Sequence, residues 1–417
     1  MTLVVKDASL VLPFDLAGPL RGDSWSAVES QGVEDASVTC EGNRIAGLGG
    51  PGDAEELFDA RGCTVIPGFV DCHTHLPFYG WRADEDAARL SGVRYESLHE
   101  EDGDIYRSAR MLGDASDDEV IGFGMEQAGA MLRRGTTTFE MKSGYGLSVD
   151  AELRQLRLAA RLAELLPQRV VRTCLAAHAV PKGSSQGEWV GRAASEILPV
   201  AAKEGLAVAC DLFVEQIAFA LEHAARLATA AEELGLAMRV HADQLADNQT
   251  ASFAARWGFR SADHLNHTSP EGVGDLAESD TAAVLLPGAT FTLRQNKKPP
   301  ARDLVDSGAI VALASDFNPG SSPISSMPFV IALACRIYGL RPVEAVGAAT
   351  VNGAYVLGLG DEVGRIAPDL RADLVVLEGK GLDSLAYRPD HDHVMAVVCG
   401  GQLVHVSERA SSRAATR

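Results

Sequence analysis

The hydrophobic pattern of the chain changes character twice, and the changes divide it into three stretches. Residues 1 to 64 carry short alternating or apolar runs, such as Leu3–Asp7 and Arg44–Leu48, broken by glycine, aspartate and proline. Runs of that length and period predict β-hairpins. From Val65 onward, apolar runs of strand length alternate with longer stretches such as Ala151–Leu166 and Ala218–Leu234, rich in the strong helix formers Ala, Leu, Glu and Arg. Ser116 followed by Glu119 reads as a capping box that opens one such helix, and Gly135 closes it. Strands are expected from Val65, then at Gly135–Glu140, Val170–Ala176, Ala207–Val214, Ala237–His241, Ser261–Leu265, Ala282–Thr290 and Ala309–Ser315, eight in all. Eight strands with helical crossovers predict an α/β fold, a closed (β/α)8 TIM barrel over residues 65–356. After that the pattern returns to β, with Ala372–Leu377, His393–Val398 and a Gly400-Gly401 turn into Gln402–His405. The β-rich ends, residues 1–64 and 357–417, are expected to pair into one small sheet domain, with 407–417 as a frayed tail.

Composition narrows the function classes. A chain of 417 residues, 46% hydrophobic, has ample core for a large barrel with an appendage, and disorder is excluded. A formal charge of −20 and a pI near 4.9 oppose a nucleic-acid or anionic-membrane surface, because the long-range field repels both. The seven cysteines (40, 63, 72, 174, 210, 335 and 399) are scattered and odd in number, which suggests neither a disulfide framework nor a zinc ribbon. No basic-apolar leader and no long uninterrupted apolar run is present, so a soluble protein of the reducing cytoplasm is expected. Its partner would be a small molecule, with a homodimer left open.

Candidate chemistry begins at Val65–His75, an apolar strand that stops on two histidines. Alternation puts His73 and His75 on one side with Thr74 turned away, so two imidazoles could grip one ion. Further candidates fall at later strand ends: His178 after Thr173–Ala177, His241 after Ala237–Val240, His264 after Ser261–Asp263, and Asp316 after Val311–Ser315. In such barrels that rim is where active sites are built. Three imidazoles and one carboxylate suit zinc or ferrous iron better than magnesium or calcium. Such a metal lowers the pKa of a bound water from ~15.7 to about 7, and a nearby histidine can carry its proton.

The run Pro67-Gly-Phe-Val-Asp-Cys-His-Thr-His75, followed by His241, His264 and Asp316, resembles the metal-dependent amidohydrolase superfamily over nearly the whole chain. Within it, Lys142-Ser-Gly-Tyr-Gly-Leu147, His241–Gln244, Ser261–Leu265, Leu285–Gly288 and Asp316–Ser321 closely resemble the imidazolonepropionase family of histidine breakdown. That resemblance implies a (β/α)8 barrel with a β-sandwich from both termini, and one Zn2+ or Fe2+/Fe3+ ion per chain. It also implies hydrolytic opening of 4-imidazolone-5-propanoate to N-formimidoyl-L-glutamate. Carried over by position, the metal ligands would be His73, His75, His241 and Asp316. His264 would be the acid/base group, and Gln244 joins it and Asp316 in the catalytic set. Arg82, Tyr145 and His178 would hold the substrate, with Tyr95 and Asn318 close by. Arg82 offers a planar fork for the propionate, and Gly144 and Gly146 would let the backbone around Tyr145 approach a small ring. Some superfamily members bridge two metals with a carbamylated lysine from a later strand than that of Lys142, so Lys142 is read as a supporting residue and the site as mononuclear. Related ring deaminases often carry a glutamate three residues after the metal histidine. Gln244 cannot shuttle protons, which weakens a deaminase reading.

Three departures stand out. The family's Phe-Gly-Gly-Asn-Arg is here Phe78-Tyr-Gly-Trp-Arg82, its Gly-Gly-Gly before Ile is Asp102-Gly-Asp104, and Ala367–Asp373 lacks a usual glycine, which should alter only a turn. A carboxylate facing the pocket would repel the propionate and favour a substrate with a cationic or strongly hydrogen-bond-donating group, so Asp102 and Asp104 are expected to point outward if the substrate is imidazolone propionate. The alternatives are a paralogous hydrolase of another ring, such as a substituted hydantoin or a modified histidine product, an aminohydrolase, or a non-catalytic scaffold on the same fold.

Overall fold

A computed structural model describes residues 1–49, 54–93 and 103–416. Its centre is an eight-stranded parallel sheet: β1 (Phe69–Asp71), β2 (Thr136–Lys142), β3 (Arg169–Ala177), β4 (Ala209–Leu212), β5 (Ala237–Ala242), β6 (Ser261–His264), β7 (Ala282–Leu285) and β8 (Val311–Leu313), each paired with the next. The seam between β8 and β1 closes just past the strand ends. Thr74 bridges Phe317 in parallel, His75 N donates to Phe317 O at 2.9 Å, and the Asp71 carboxylate accepts from Ser315 N at 2.9 Å and Ser315 Oγ at 2.5 Å. Eight parallel strands wrapped by helices make the expected TIM-like barrel. The capping box at Ser116 opens the helix Asp117–Arg133 as read from sequence.

Both termini build one separate nine-stranded mixed sheet. Its strand Thr2–Val11 forks the sheet, pairing antiparallel with Val33–Glu41 and parallel with both Glu56–Asp59 and Cys63–Pro67. Cys63–Pro67 in turn pairs with Leu374–Glu378 from the other end of the chain. The apolar run at Val65 is therefore two strands, one in each sheet. They meet at Gly68, where a Cβ would lie 2.1 Å from Thr137 Oγ1, so the chain can cross between the sheets only without a side chain.

Two expectations are corrected here. Of the expected tail, residues 407–416 do not fray: Glu408–Arg413 forms a 3-10 helix with Ala410 buried, and Ala414–Thr416 pairs antiparallel with Glu56–Asp59, while Arg417 lies outside the described residues. That pairing satisfies backbone groups of an open edge and needs no apolar periodicity. The strand over 282–290 stops at Leu285, because Pro287, which lacks an N–H and suits a first helical turn, opens the helix Pro287–Thr292. Within Ala367–Asp373, Asp369 takes the left-handed conformation at φ 66°. No helix among the described residues is long and apolar enough to cross a membrane.

Candidate metal centre

Four of the barrel strands deliver donor atoms to one point. His73 and His75 follow β1 and turn the same way, with their Nε2 atoms 3.3 Å apart. Asp316, just past β8, puts Oδ1 3.1 Å from His75 Nε2 and 3.5 Å from His73 Nε2. His241 on β5 brings its ring centroid to 4.5 Å from that of His73, and His264 at the end of β6 lies 5.3 Å from His241. The donors form two overlapping triads, His73–His75–His241 and His73–His264–Asp316, each with all atoms within 4.8 Å of one another and all residues buried.

Which nitrogen His73 and His241 present is fixed from behind. Asp263 on β6 holds His73 Nδ1 at 2.5 Å, and Asp211 on β4 holds His241 Nδ1 at 3.1 Å. A carboxylate on one ring nitrogen orients the other toward a metal and raises its basicity. His241 Nε2 is left buried with no hydrogen-bond partner among the described residues, which is an unfavourable state unless an ion or water meets it. Burial drives His73 and His75 well below the usual histidine range, keeping their lone pairs available, and pushes His264 down to about 3. The donor set therefore fits a borderline divalent cation.

Below the histidines lies a fully buried charge network. Lys142 Nζ donates to Asp211 Oδ2 at 2.7 Å and sits 2.8 Å from Glu140 Oε2. Arg239 donates to Glu140 through Nη1, to Cys72 O at 2.7 Å and Asp263 at 3.3 Å through Nη2, and to Ser261 Oγ at 3.0 Å through Nε. Burial and Arg239 press the Lys142 ammonium toward neutrality, but Asp211 and Glu140 outweigh them and hold it charged. Burial likewise works against the Asp211 carboxylate, and Lys142 and His241 overcome it, leaving Asp211 well below the usual range. Lys142 thus faces carboxylates, Asp211 and Glu140. Sequence reasoning missed Glu140, Asp211, Arg239 and Asp263 as supports. Glu140 and Asp263 lay within or beside quoted motifs, two residues before Lys142 and one before His264.

Above the donors is a cavity of about 30 Å³ lined by His75, His241, His264 and Asp316 and, among the other sequence candidates, by Arg82, Tyr145, His178, Gln244 and Asn318. Tyr95 and Asp102 lie outside the described residues. His178 stacks on His75 at 5.0 Å between centroids. The Asn318 amide is engaged in its own loop, accepting from Gly320 N at 2.9 Å and Ser321 N at 2.8 Å and donating to Asp316 O at 2.6 Å. Gly144 and Gly146 make room for neighbouring residues. A Cβ at Gly144 would meet His178 Nδ1 at 2.9 Å and one at Gly146 would meet Glu152 N at 2.3 Å. Glu152, missed in the sequence, pins this loop by accepting from Gly144 N, Gly146 N and Leu147 N, while Gln155 accepts from Tyr145 N at 3.0 Å. Trp81 packs against Phe78 and Phe317, and neither Trp81 nor Tyr79 lines the cavity.

Asp104 contradicts the expectation that it points outward. It is buried, lines the cavity, and accepts from Arg82 Nη1 at 2.6 Å. The physical reason is the burial of Arg82 itself. A guanidinium only 2% exposed needs a counter-charge, and Asp104 provides one, with Glu85 Oε2 at 3.5 Å on the same nitrogen.

A family model described as "Amidohydrolase family" matches residues 64–404. The chain is 44% identical over 413 residues to an imidazolonepropionase of Rubrobacter xylanophilus, covering 97% of this chain and 98% of that protein. It is 41% identical to an imidazolonepropionase of Ectopseudomonas mendocina, covering 89% and 94%. Among solved structures, a triazine hydrolase from Arthobacter aurescens superposes with a TM-score of 0.73 at 18% identity, over 98% of this chain and 96% of that one, a likeness of fold.

The network makes its own test. Lys142→Met leaves Asp211 and Glu140 buried without their shared cation, so a loss of roughly 3–5 kcal/mol in chemical denaturation is expected. A loss below about 1 kcal/mol would mean that Arg239 alone holds the carboxylates.

Proposed function

Because the chain belongs to the amidohydrolase family, and within it to the imidazolonepropionases, we propose that it opens the ring of 4-imidazolone-5-propanoate with water to give N-formimidoyl-L-glutamate, a step of histidine breakdown. The observation that carries this reading is the convergence of His73, His75, His241 and Asp316 beneath a cavity whose wall holds a buried arginine.

These four residues would hold one zinc or iron ion per chain. Such an ion supplies Lewis acidity and makes water nucleophilic near neutral pH. The chain's own residues do the rest. His264 is neutral at working pH, and its Nδ1 is buried without a hydrogen-bond partner among the described residues. It is therefore able to take the proton of the attacking water on its unprotonated ring nitrogen. The water oxygen bonds to the ring carbonyl carbon, the amide C–N bond breaks, and the same proton passes to the departing ring nitrogen. Asp316 fixes the geometry beside His75 and His73. Arg82 takes the propionate, while Tyr145 and His178 flank the ring. Tyr95 is assigned to the same substrate group from its sequence position. Gln244, on the cavity wall, can hydrogen-bond the ring but not titrate, which suits hydrolysis better than removal of ammonia. The described cysteines are free thiols, and most are buried, which supports a reducing cytoplasmic setting.

Purified protein should hydrolyse imidazolone propionate in preference to hydantoin and aminopurine substrates and contain one transition metal per chain by elemental analysis. His73→Ala should lose both metal and activity. Two metals per chain, or an active protein with none, would sink the mononuclear reading.

His264→Ala should retain the metal and lower kcat by something like 10²–10⁴-fold, the usual contribution of a positioned acid or base. Loss of metal in a folded His264→Ala protein would move His264 among the ligands.

Arg82→Met should reduce kcat/KM on imidazolone propionate by about two to four decades, since losing a buried cationic partner costs roughly 3–5 kcal/mol and a decade is ~1.4 kcal/mol. An unchanged kcat/KM would place the propionate elsewhere.

A further inference from the structure

The part of the cavity assigned to the substrate's acid arm already holds an acid. We propose that Asp104 is a specificity-determining residue: its carboxylate pairs with Arg82 at the cavity wall and must leave before the carboxylate of a ligand can bind. This rests on the reading that the ligand is anionic and pairs with Arg82.

Four observations carry it. Asp104 Oδ1 is 2.6 Å from Arg82 Nη1, and both side chains are 2% exposed, so the pair is a dry contact made at the cavity wall. The cavity, at about 30 Å³, has room for roughly one or two waters, and an imidazolone ring with its acid arm cannot enter until part of the wall withdraws. Asp104 and Ile105 enter that wall from the start of the helix Asp104–Asp114. Asp104 also sits at φ 51°, a left-handed backbone that a residue with a Cβ holds at some cost.

Of the two partners, Arg82 is the one that stays. Its guanidinium lies flat on Gly320, where a Cβ would fall 1.5 Å from Nη2, and its own backbone N donates to Pro319 O at 3.3 Å. The Asp104 backbone N donates to the Glu85 carboxylate at 3.3 Å. Glu85 already puts a second carboxylate 3.5 Å from the same guanidinium nitrogen. A third negative group cannot join them without strong like-charge repulsion, so ligand and Asp104 exclude one another. The competition lowers the apparent affinity by the fraction of molecules in which Arg82 is already taken.

The test uses imidazole-4-propanoate, which carries the same acid arm on a ring that does not hydrolyse. Its Kd is measured by calorimetry on the metal-loaded full chain, in wild type, Asp104→Asn and Asp104→Gly. Asparagine keeps the shape and tolerates the left-handed backbone, and glycine removes the side chain altogether. Both variants should bind roughly tenfold tighter, and on imidazolone propionate the gain should fall on KM and not on kcat. Unchanged or weaker binding in both variants, at wild-type melting temperature, would overturn the proposal and make Asp104 a support for Arg82. A wild type that binds the amine analogue 4-(3-aminopropyl)imidazole more tightly than the acid would overturn it as well. Should wild type bind the acid yet fail to hydrolyse imidazolone propionate, the proposed reaction falls while the comparison of variants still decides the role of Asp104.

Discussion

Five charges share one water-free space at the heart of the barrel: Glu140, Asp211 and Asp263 against Lys142 and Arg239, all essentially without exposure. Taking each ion out of water costs several kcal/mol, so none of them can move without leaving another uncompensated. The geometry above them follows. Arg239 on β5 reaches β2 through Glu140, β6 through Asp263 and the end of β1 through Cys72 O, while Lys142 links β2 to β4. Those are the strands that carry His73, His241 and His264. A network that fixes the strand ends relative to one another, and also holds the back nitrogens of His73 and His241, sets the donor atoms before any ion arrives.

The rim above is built from unfavourable backbone. His264 at φ 81°, Asp316 at 54° and Asp243 at 48° all take left-handed conformations that residues with a Cβ rarely hold. Each costs on the order of 1–2 kcal/mol and survives because its surroundings over-determine it. The Asp243 carboxylate, for example, accepts from Thr250 N, Asn248 N and Thr268 Oγ1, which locks the loop after His241. Strain of this kind turns side chains at strand ends inward, toward the barrel axis, where a regular strand would alternate them away. Gly320 works by the opposite means, since only a missing side chain lets Arg82 lie against the loop that follows Asp316.

The cluster of candidate donors was legible because its information is local. His73 and His75 share a face by strand alternation, and His241, His264 and Asp316 each end an apolar run that announces itself by pattern. The barrel was legible for the same reason, as eight runs with helical spacers. The charge network was not, because Arg239 and Glu140 are separated by 99 positions and neither residue alone looks unusual. Asp104 misled for a related reason. Judged by substrate repulsion alone it should face outward, and the stronger requirement, a counter-charge for the buried Arg82, becomes visible only when residues 82 and 104 are seen in contact. The tail misled because strand pairing at an edge depends on backbone groups, which leave no mark in composition. The end of β7 was the one place where a local signal, Pro287, was present and a longer apolar run outvoted it.

An acidic chain that handles an anion must make its affinity at short range. At a formal charge of −20 the long-range field opposes the approach of a carboxylate, and that field fades within about 8 Å at physiological salt. Attraction therefore has to come from a cation that solvent does not screen, and Arg82, buried against Gly320 and Pro319, is such a cation. The same burial makes the guanidinium intolerant of being left alone. A pocket that waits for an anion through a buried arginine must keep a substitute anion at hand, and the nearer that substitute sits to the binding nitrogen, the more it competes with what it replaces. Asp104 and Arg82 are bound by that trade-off, since the contact that keeps the empty site stable is the one a ligand has to break.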